Sequence, residues 1–345
     1  MKEVIDAIDN WLAAGETSIA LVTVIHTWGS APRKVGAKMA FTAGGAAIAG
    51  SVSGGCVEGA VIDAGDDVLA SGRPRLLHFG VADETAWGVG LACGGTIDVY
   101  VEPLDIASYQ AARDRIVAHQ PVAIATILSG PDEMIGRKLV VGERPLAGGL
   151  GLELDAAVIE LARQALLPAS YSLPDGMVVF IDTQRPPPSL IIVGGAHIAV
   201  ALARLAKIVA YRTVVVDPRR AFSSESRFPD VDQLIRAWPG KAFEELPLQP
   251  EMAVVTLSHD PKIDDPALRA ALDSDVFYIG ALGSRGTHAK RRARLTAQGY
   301  SEARLARIHA PIGLDIGADN PEEVALAIMA EVVSANRKRT MDQEE

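Results

Sequence analysis

Two cysteines occur in 345 residues, and both stand beside paired glycines: Gly50-Ser-Val-Ser-Gly-Gly-Cys56-Val-Glu58 and Ala92-Cys93-Gly94-Gly95. An isolated cysteine usually serves as a small hydrophobe. Two of two next to Gly-Gly reads instead as ligand chemistry, because glycine admits close approach to the backbone and helix-start amides favour an anion or a thiolate. Ser53, Gly54, Gly55 and Cys56 form the expected loop at the mouth of a helix. Glu58 reads as a cap of that helix, its charge matched to the positive end of the dipole, with an acid/base role as the alternative. Upstream, Ser30-Ala-Pro32-Arg33-Lys34-Val-Gly36-Ala-Lys38 gathers three cations in a turn broken by proline and glycine. With the cysteine loop it suggests a pocket that pairs cations with a soft sulfur ligand.

The second half carries a different kind of site. The apolar run Leu190 to Val193 leads into Gly194-Gly-Ala196-His197-Ile-Ala199, and Asp217 follows a second strand-like run. Strand, glycine turn, helix, strand and acid make the first unit of a doubly wound fold. Asp217 has the spacing of a ribose ligand, and Arg219 and Arg220 suit a phosphate. Ala196 stands where the fingerprint has its second glycine, so a methyl group obstructs pyrophosphate. That favours a phosphate-bearing ligand other than NAD(P). His259, in Thr256-Leu-Ser-His259-Asp260, and Gly283, Ser284, Arg285 and His288, in Ala281-Leu-Gly-Ser-Arg-Gly-Thr-His288, follow two later strands. Loops at the carboxyl ends of parallel strands are where open sheets bind ligands, so a shared cleft is expected there. Ser284 also caps the next helix, whose basic cluster comprises Arg285, Lys290, Arg291, Arg292 and Arg294. Neither zinc-site spacing nor a Walker A or G-x-S-x-G sequence is present.

The elements that must position these residues follow from pattern. Helices are expected over 2–14, 56–69, 107–118, 155–167, 266–273, 286–297 and 321–336. Strands are expected over 18–26, 37–42, 76–79, 96–101, 121–128, 138–142, 177–182, 213–216, 253–257 and 276–280. Pro186, Pro187 and Pro188 mark a stiff linker. The expected domains are therefore 1–185, a cofactor-binding α/β domain, and 186–345, a Rossmann-like doubly wound parallel sheet. No internal repeat is evident. The length and a mean hydropathy of +0.19 fit two cores, and no apolar run reaches a membrane span. The net charge of −10 argues against nucleic acid. The absence of a signal-peptide core and the two free thiols imply a cytoplasmic protein.

Gly-Ser-Ala-Pro-Arg at 29–33, Gly-Ala-Lys-Met at 36–39, the 50–58 block and Cys-Gly-Gly at 93–95 resemble the XdhC/CoxI family. So do Val-Gly-Gly-Ala-His at 193–197, the Ser-His-Asp-Pro block from 258, Ile-Gly-Ala-Leu-Gly-Ser-Arg at 279–285 and the Ala-Pro-Ile-Gly block from 310. The resemblance implies a non-catalytic accessory protein that carries molybdenum cofactor (molybdopterin) and protects it. It further implies presentation to a cysteine desulfurase for sulfuration and insertion into an apo xanthine dehydrogenase-type molybdenum hydroxylase. A homo-oligomer is expected. The cofactor has a phosphate, a polar pterin and a soft metal–dithiolene end, so Cys56 or Cys93 is the candidate molybdenum ligand and the loop cations are candidate phosphate contacts. The alternative is an NAD(P)-dependent oxidoreductase using the Gly194 turn and Asp217, with His259 or His288 as proton donor.

Overall fold

Apolar strands of the first half pair antiparallel, and apolar strands of the second half, separated by helices, pair in parallel. The computed structural model describes residues 1–80, 95–174 and 176–341. The chain divides into two compact units, Met1–Pro186 and Pro187–Glu345.

The first unit begins with α1 (Lys2–Ala13), β1 (Ile19–Trp28), β2 (Lys38–Thr42), β3 (Ile48–Gly50), α2 (Glu58–Ser71), β4 (Arg75–Phe79) and β5 (Thr96–Pro103). It continues with α3 (Ile106–Val117), β6 (Val122–Ser129), β7 (Lys138–Val141), β8 (Pro145–Gly148), α4 (Leu152–Gln164), β9 (Ala169–Ser172) and β10 (Val178–Gln184). The two sheets have orders β3-β2-β1-β5-β4 and β8-β7-β6-β10-β9. These are the same element order run twice, which corrects the expectation that no repeat exists. Val35-Gly-Ala-Lys38-Met corresponds to Ile135-Gly-Arg-Lys138-Leu, and the copies diverge elsewhere enough to hide the period. Gly50 and Gly148 correspond as well. Both have positive φ (72° and 74°), and a Cβ would lie 2.2 Å from the Lys38 carbonyl oxygen and 2.1 Å from that of Lys138.

Each sheet buries one face under its own helix. Val22, Val24, Phe41, Val99 and Val101 pack with Val61 and Val68 of α2, and Ala125, Ile127, Leu139, Val179 and Ile181 pack with Val158 of α4. The other faces are bridged by charge. Lys38 Nζ lies 2.7 Å from Asp182 Oδ2 and donates to Thr23 Oγ1 at 2.7 Å. Lys138 Nζ lies 2.7 Å from Glu102 Oε2 and donates to Thr126 Oγ1 at 2.9 Å. Each lysine thus takes its acid from the other copy. Burial alone would raise the Asp182 carboxyl, but the charges of Lys38 and the amino terminus, with hydrogen bonds from Lys38 and Gln184, outweigh it and hold it below the ordinary carboxylate range.

The second unit contains β11 (Ser189–Val193), α5 (His197–Ile208), β12 (Arg212–Val216), β13 (Gln233–Ile235), α6 (Pro239–Glu245), β14 (Met252–Thr256) and α7 (Pro261–Leu272). After these come β15 (Tyr278–Ala281), α8 (Arg285–Ala297), α9 (Glu302–Leu305), β16 (Ile308–His309) and α10 (Pro321–Met341). The strands pair in parallel in the order β13-β12-β11-β14-β15-β16. That is a Rossmann order, with its switch point between β11 and β14. α5 and α10 cover one face, and α7 and α8 the other. Among the described residues no helix is long and apolar enough to cross a membrane.

Removing one partner of a buried ion pair strands the other. Lys38→Met is therefore expected to destabilise the first unit by about 3–5 kcal/mol, and the double change Lys38→Met/Asp182→Leu to restore most of that loss. Urea unfolding followed by a probe in the first unit reads both. A single variant as stable as the parent would remove the bridge from its structural role.

Candidate functional site

The 29–37 loop, the 51–57 loop and Gly95 all leave the first sheet at one end. The pairings Thr23 with Lys38, Met39 with Gly50 and Trp28 with Thr96 put them there. A Cβ on Gly95 would lie 2.8 Å from the Trp28 carbonyl oxygen and 3.0 Å from the Ser30 carbonyl carbon, so these segments pack backbone to backbone. The sequence motifs of the first half therefore converge, although Cys93 and Gly94 lie outside the described residues.

Within the 51–57 loop the donors turn inward. Glu58 accepts the backbone N–H groups of Val52 (3.2 Å), Ser53 (2.9 Å), Gly54 (3.1 Å), Gly55 (2.9 Å) and Val57 (3.2 Å). It also accepts the Ser51 hydroxyl at 2.7 Å and the Ser53 hydroxyl. Of the two remaining amides, that of Cys56 donates to Ser53 Oγ at 2.9 Å and that of Ser51 to the Lys38 carbonyl at 3.0 Å. Burial acts to raise the Glu58 carboxyl, but the Ser53, Ser51 and backbone donors prevail and bring it down to about 2. This corrects one expectation: the loop amides do not wait for an external anion or the thiol, because the chain's own carboxylate has taken them. Cys56 itself is exposed on the outside of that cradle, and the helix begins at Glu58.

The cation turn is also corrected. Lys38 is buried in its bridge to Asp182, and Arg33 pairs with Glu3. Neither presents a free charge to a phosphate. Ser30 and Lys34 are exposed. The sequence reading missed three residues at this end of the sheet. His78 Nδ1 is hydrogen-bonded to Asp98 Oδ1, and His26 Nδ1 lies 3.5 Å from Asp98 Oδ2. They share one cross-strand row, with His26 opposite Asp98 and Asp98 opposite His78. Polar residues on one face of three strands are the available signal, and only the register lines them up. Among the described residues no group of three or more His, Cys, Asp or Glu side chains is arranged to hold a metal ion.

The Rossmann crevice of the second unit is filled by its own chain. Asp217 is wholly buried, and its four acceptor positions go to Gly195 N (2.8 Å) and to Arg219 N, Nε and Nη2 (2.8, 2.9 and 2.7 Å). A Cβ on Gly195 would meet the Phe222 carbonyl oxygen at 1.9 Å, so the 220–222 turn lies against the glycine loop. The expected ribose contact from Asp217 is therefore withdrawn, and Gly194 serves tight packing against Ser258. His197 is exposed at the start of α5, without a capping side chain before it.

The expected cleft after β14 and β15 resolves into structural contacts. Ser258 Oγ donates to Asp264 Oδ1 at 2.6 Å, and buried Arg291 donates to the Leu282 carbonyl at 2.8 Å and lies 3.9 Å from Asp264. Burial raises Asp264 and lowers Arg291, the mark of an ion pair too loose to offset desolvation. Arg294 grips Asp265 with two bonds, and Arg292 pairs with Glu302. Burial, Arg291 and Arg292 lower His288, which opposes its use as a proton donor. His259 holds a positive φ of 61°. Ser284 caps α8 through Thr287 N, which leaves Gly283 in the preceding turn and Arg285 exposed on the first helical turn.

The depressed Glu58 value fixes a sign. The carboxylate's contribution to loop order is complete above the ordinary value of 4.5 and is lost as pH falls through about 2. The carboxyl carbon resonance of Glu58 is expected to titrate near 2. A midpoint at 4.5 would show that the amides are not held by it.

The comparisons with known proteins follow this geometry. Residues 11–80 match the XdhC and CoxI family, and residues 190–332 match the XdhC Rossmann domain. The chain is 30% identical over 335 residues to a Bacillus subtilis protein described as a probable component of xanthine dehydrogenase, covering 95% of this chain and 96% of that protein. It is 28% identical over 333 residues to the molybdenum cofactor insertion chaperone PaoD of Escherichia coli, covering 96% and 87%. A crystal structure from Bacillus halodurans, described as a xanthine dehydrogenase, superposes with a TM-score of 0.63 at 27% identity, covering 98% of this chain and 96% of that one. With a relative of that identity matched over nearly its whole length, and both units matching the domains described for it, the chain belongs to the XdhC and CoxI family.

Proposed function

We propose that the protein is a non-catalytic chaperone that carries molybdenum cofactor to a xanthine dehydrogenase-type hydroxylase. The observation that carries this reading is the near full-length similarity to PaoD, a molybdenum cofactor insertion chaperone. Cys56 gives it chemistry. The thiol is exposed at the rim of a preformed loop whose amides are already bonded. Such a thiol lacks the oxyanion-stabilising donors an enzymatic nucleophile would need, and as a soft sulfur donor it suits a metal–dithiolene centre. Glu58 is a holder of the loop in this scheme. In the second copy Asp155, in the first turn of α4, accepts the Leu150 amide at 2.7 Å where no cysteine is present.

In the proposed cycle the chaperone shields the oxidation-sensitive cofactor and presents it to a cysteine desulfurase for exchange of an oxo for a sulfido ligand. It then passes the cofactor to the apo-hydroxylase in the cytoplasm, working as a homo-oligomer. Gly54 and Gly55 are the exposed backbone next to the thiol, and Ser30, at the same end of the sheet, completes the candidate set with Cys93 and Gly94.

Protein purified from molybdenum-replete cells, or reconstituted with molybdopterin, is expected to contain molybdenum and pterin together. Cys56→Ala is expected to weaken metal retention by about tenfold or more. Wild-type protein free of both components after reconstitution would overturn the chaperone reading. Undiminished retention in the variant would remove only the thiol's role.

A further inference from the structure

The duplication in the first unit supplies an internal control for function. Matching registers pair Thr23 with Thr126, Lys38 with Lys138, Tyr100 with Phe180 and Glu102 with Asp182. Beyond these rows each central pairing carries a register irregularity, between Val24 and His26 in one copy and between Val178 and Val179 in the other. The next row outward is His26–Asp98–His78 in the first copy and Ser129–Val178–Ser172 in the second. The backbone frame is common to both, so the frame itself requires neither imidazoles nor a carboxylate. The same holds for the adjoining loop, where Gly54-Gly55-Cys56 is replaced in the second copy by a loop without cysteine. Chemistry has accumulated at one end of one copy.

The row's hydrogen bonding defines what it offers. An ionised carboxylate only accepts, so the hydrogen bond to Asp98 keeps the His78 proton at Nδ1 and leaves its Nε2 lone pair as an acceptor, while His26 Nδ1 stands 3.5 Å from the same carboxylate. The two imidazoles are 62% and 67% exposed. Trp28, two residues beyond His26 and thus on the same face, is 67% exposed. An oriented acceptor, a second imidazole and an open aromatic plane on one face complement a flat heterocycle rich in N–H donors.

We propose that His26, His78 and Trp28, with Asp98 as the positioning residue, form a binding subsite for the pterin ring. This rests on the cofactor-carrier reading and deepens it: the ring lies on the sheet-end row, at the same end of the sheet as the Cys56 loop.

Anaerobic calorimetric titration of the full chain with metal-free 6-methyltetrahydropterin tests the row directly. Wild type is expected to bind, Trp28→Ala and His26→Ala/His78→Ala to bind about tenfold more weakly, and Ser129→Ala/Ser172→Ala to bind as wild type. All these side chains lie outside the packed cores, and circular dichroism checks each fold. Asp98→Asn is expected to weaken binding and to shift the imidazole 15N resonances away from the Nδ1–H tautomer. No binding by wild type, or row variants that titrate like it, would overturn the proposal. Retention of intact molybdenum cofactor by row variants at the wild-type level would sink the row and spare the chaperone reading. Binding of the free pterin by a protein that retains no cofactor would do the reverse.

Discussion

The reciprocal lysine bridges tie the two sheets of the first unit to one another. Lys38 and Lys138 each leave one sheet to meet a carboxylate of the other, with a threonine beneath each ammonium group. Burying four charges is costly unless the pairs are close and further bonded. The cost is met only when both sheets are in register, so the bridges specify the arrangement as well as support it. With these faces tied to one another, by the bridges and by apolar neighbours such as Leu21, Ile124, Tyr100 and Phe180, the ends of the strands are fixed too. The loops that carry Cys56, Trp28 and Ser30 then inherit their positions.

A second theme is that carboxylates within the chain occupy places where such folds commonly bind ligands. Glu58 collects the amides of the 51–57 loop, and Asp217 takes the Gly195 amide together with three donors of Arg219. Both groups are held below the ordinary carboxylate range against the effect of burial. Each makes a rigid local structure from a glycine-rich segment. The consequence differs. Glu58 leaves an exposed thiol beside a stiff loop, whereas Asp217 and the 220–222 turn close the usual dinucleotide crevice.

Much of the fold was legible in the chain. The parallel order of the second unit follows from alternating apolar runs and helices, and the strand, glycine turn and acid near 190–217 mark its first βαβ unit. Most helices lie within a few residues of their expected limits; α7 begins earlier, at Pro261, because Asp260 caps it. The short edge strands β8 and β9 were missed, since strands of four residues with mixed exposure carry little periodicity. The duplication was missed because it survives mainly in spacing: a glycine two residues before a lysine, a threonine in the central strand, an acid at the helix start.

The sequence by itself determined which segments could do chemistry, because glycine pairs, a cysteine and a proline-broken turn are local features that need no partner to be recognised. It also determined the family, through motifs kept in order along both units. What each charged side chain does was decided only by tertiary structure. Lys38 reads as a loop cation and is a buried bridge; Asp217 reads as a ribose ligand and is an internal brace; His26, Asp98 and His78 carry no signal in sequence and form one row. A charge has no fixed role until its neighbours set its solvation and its partner, and for Lys38 and Asp98 those neighbours lie tens of residues away along the chain.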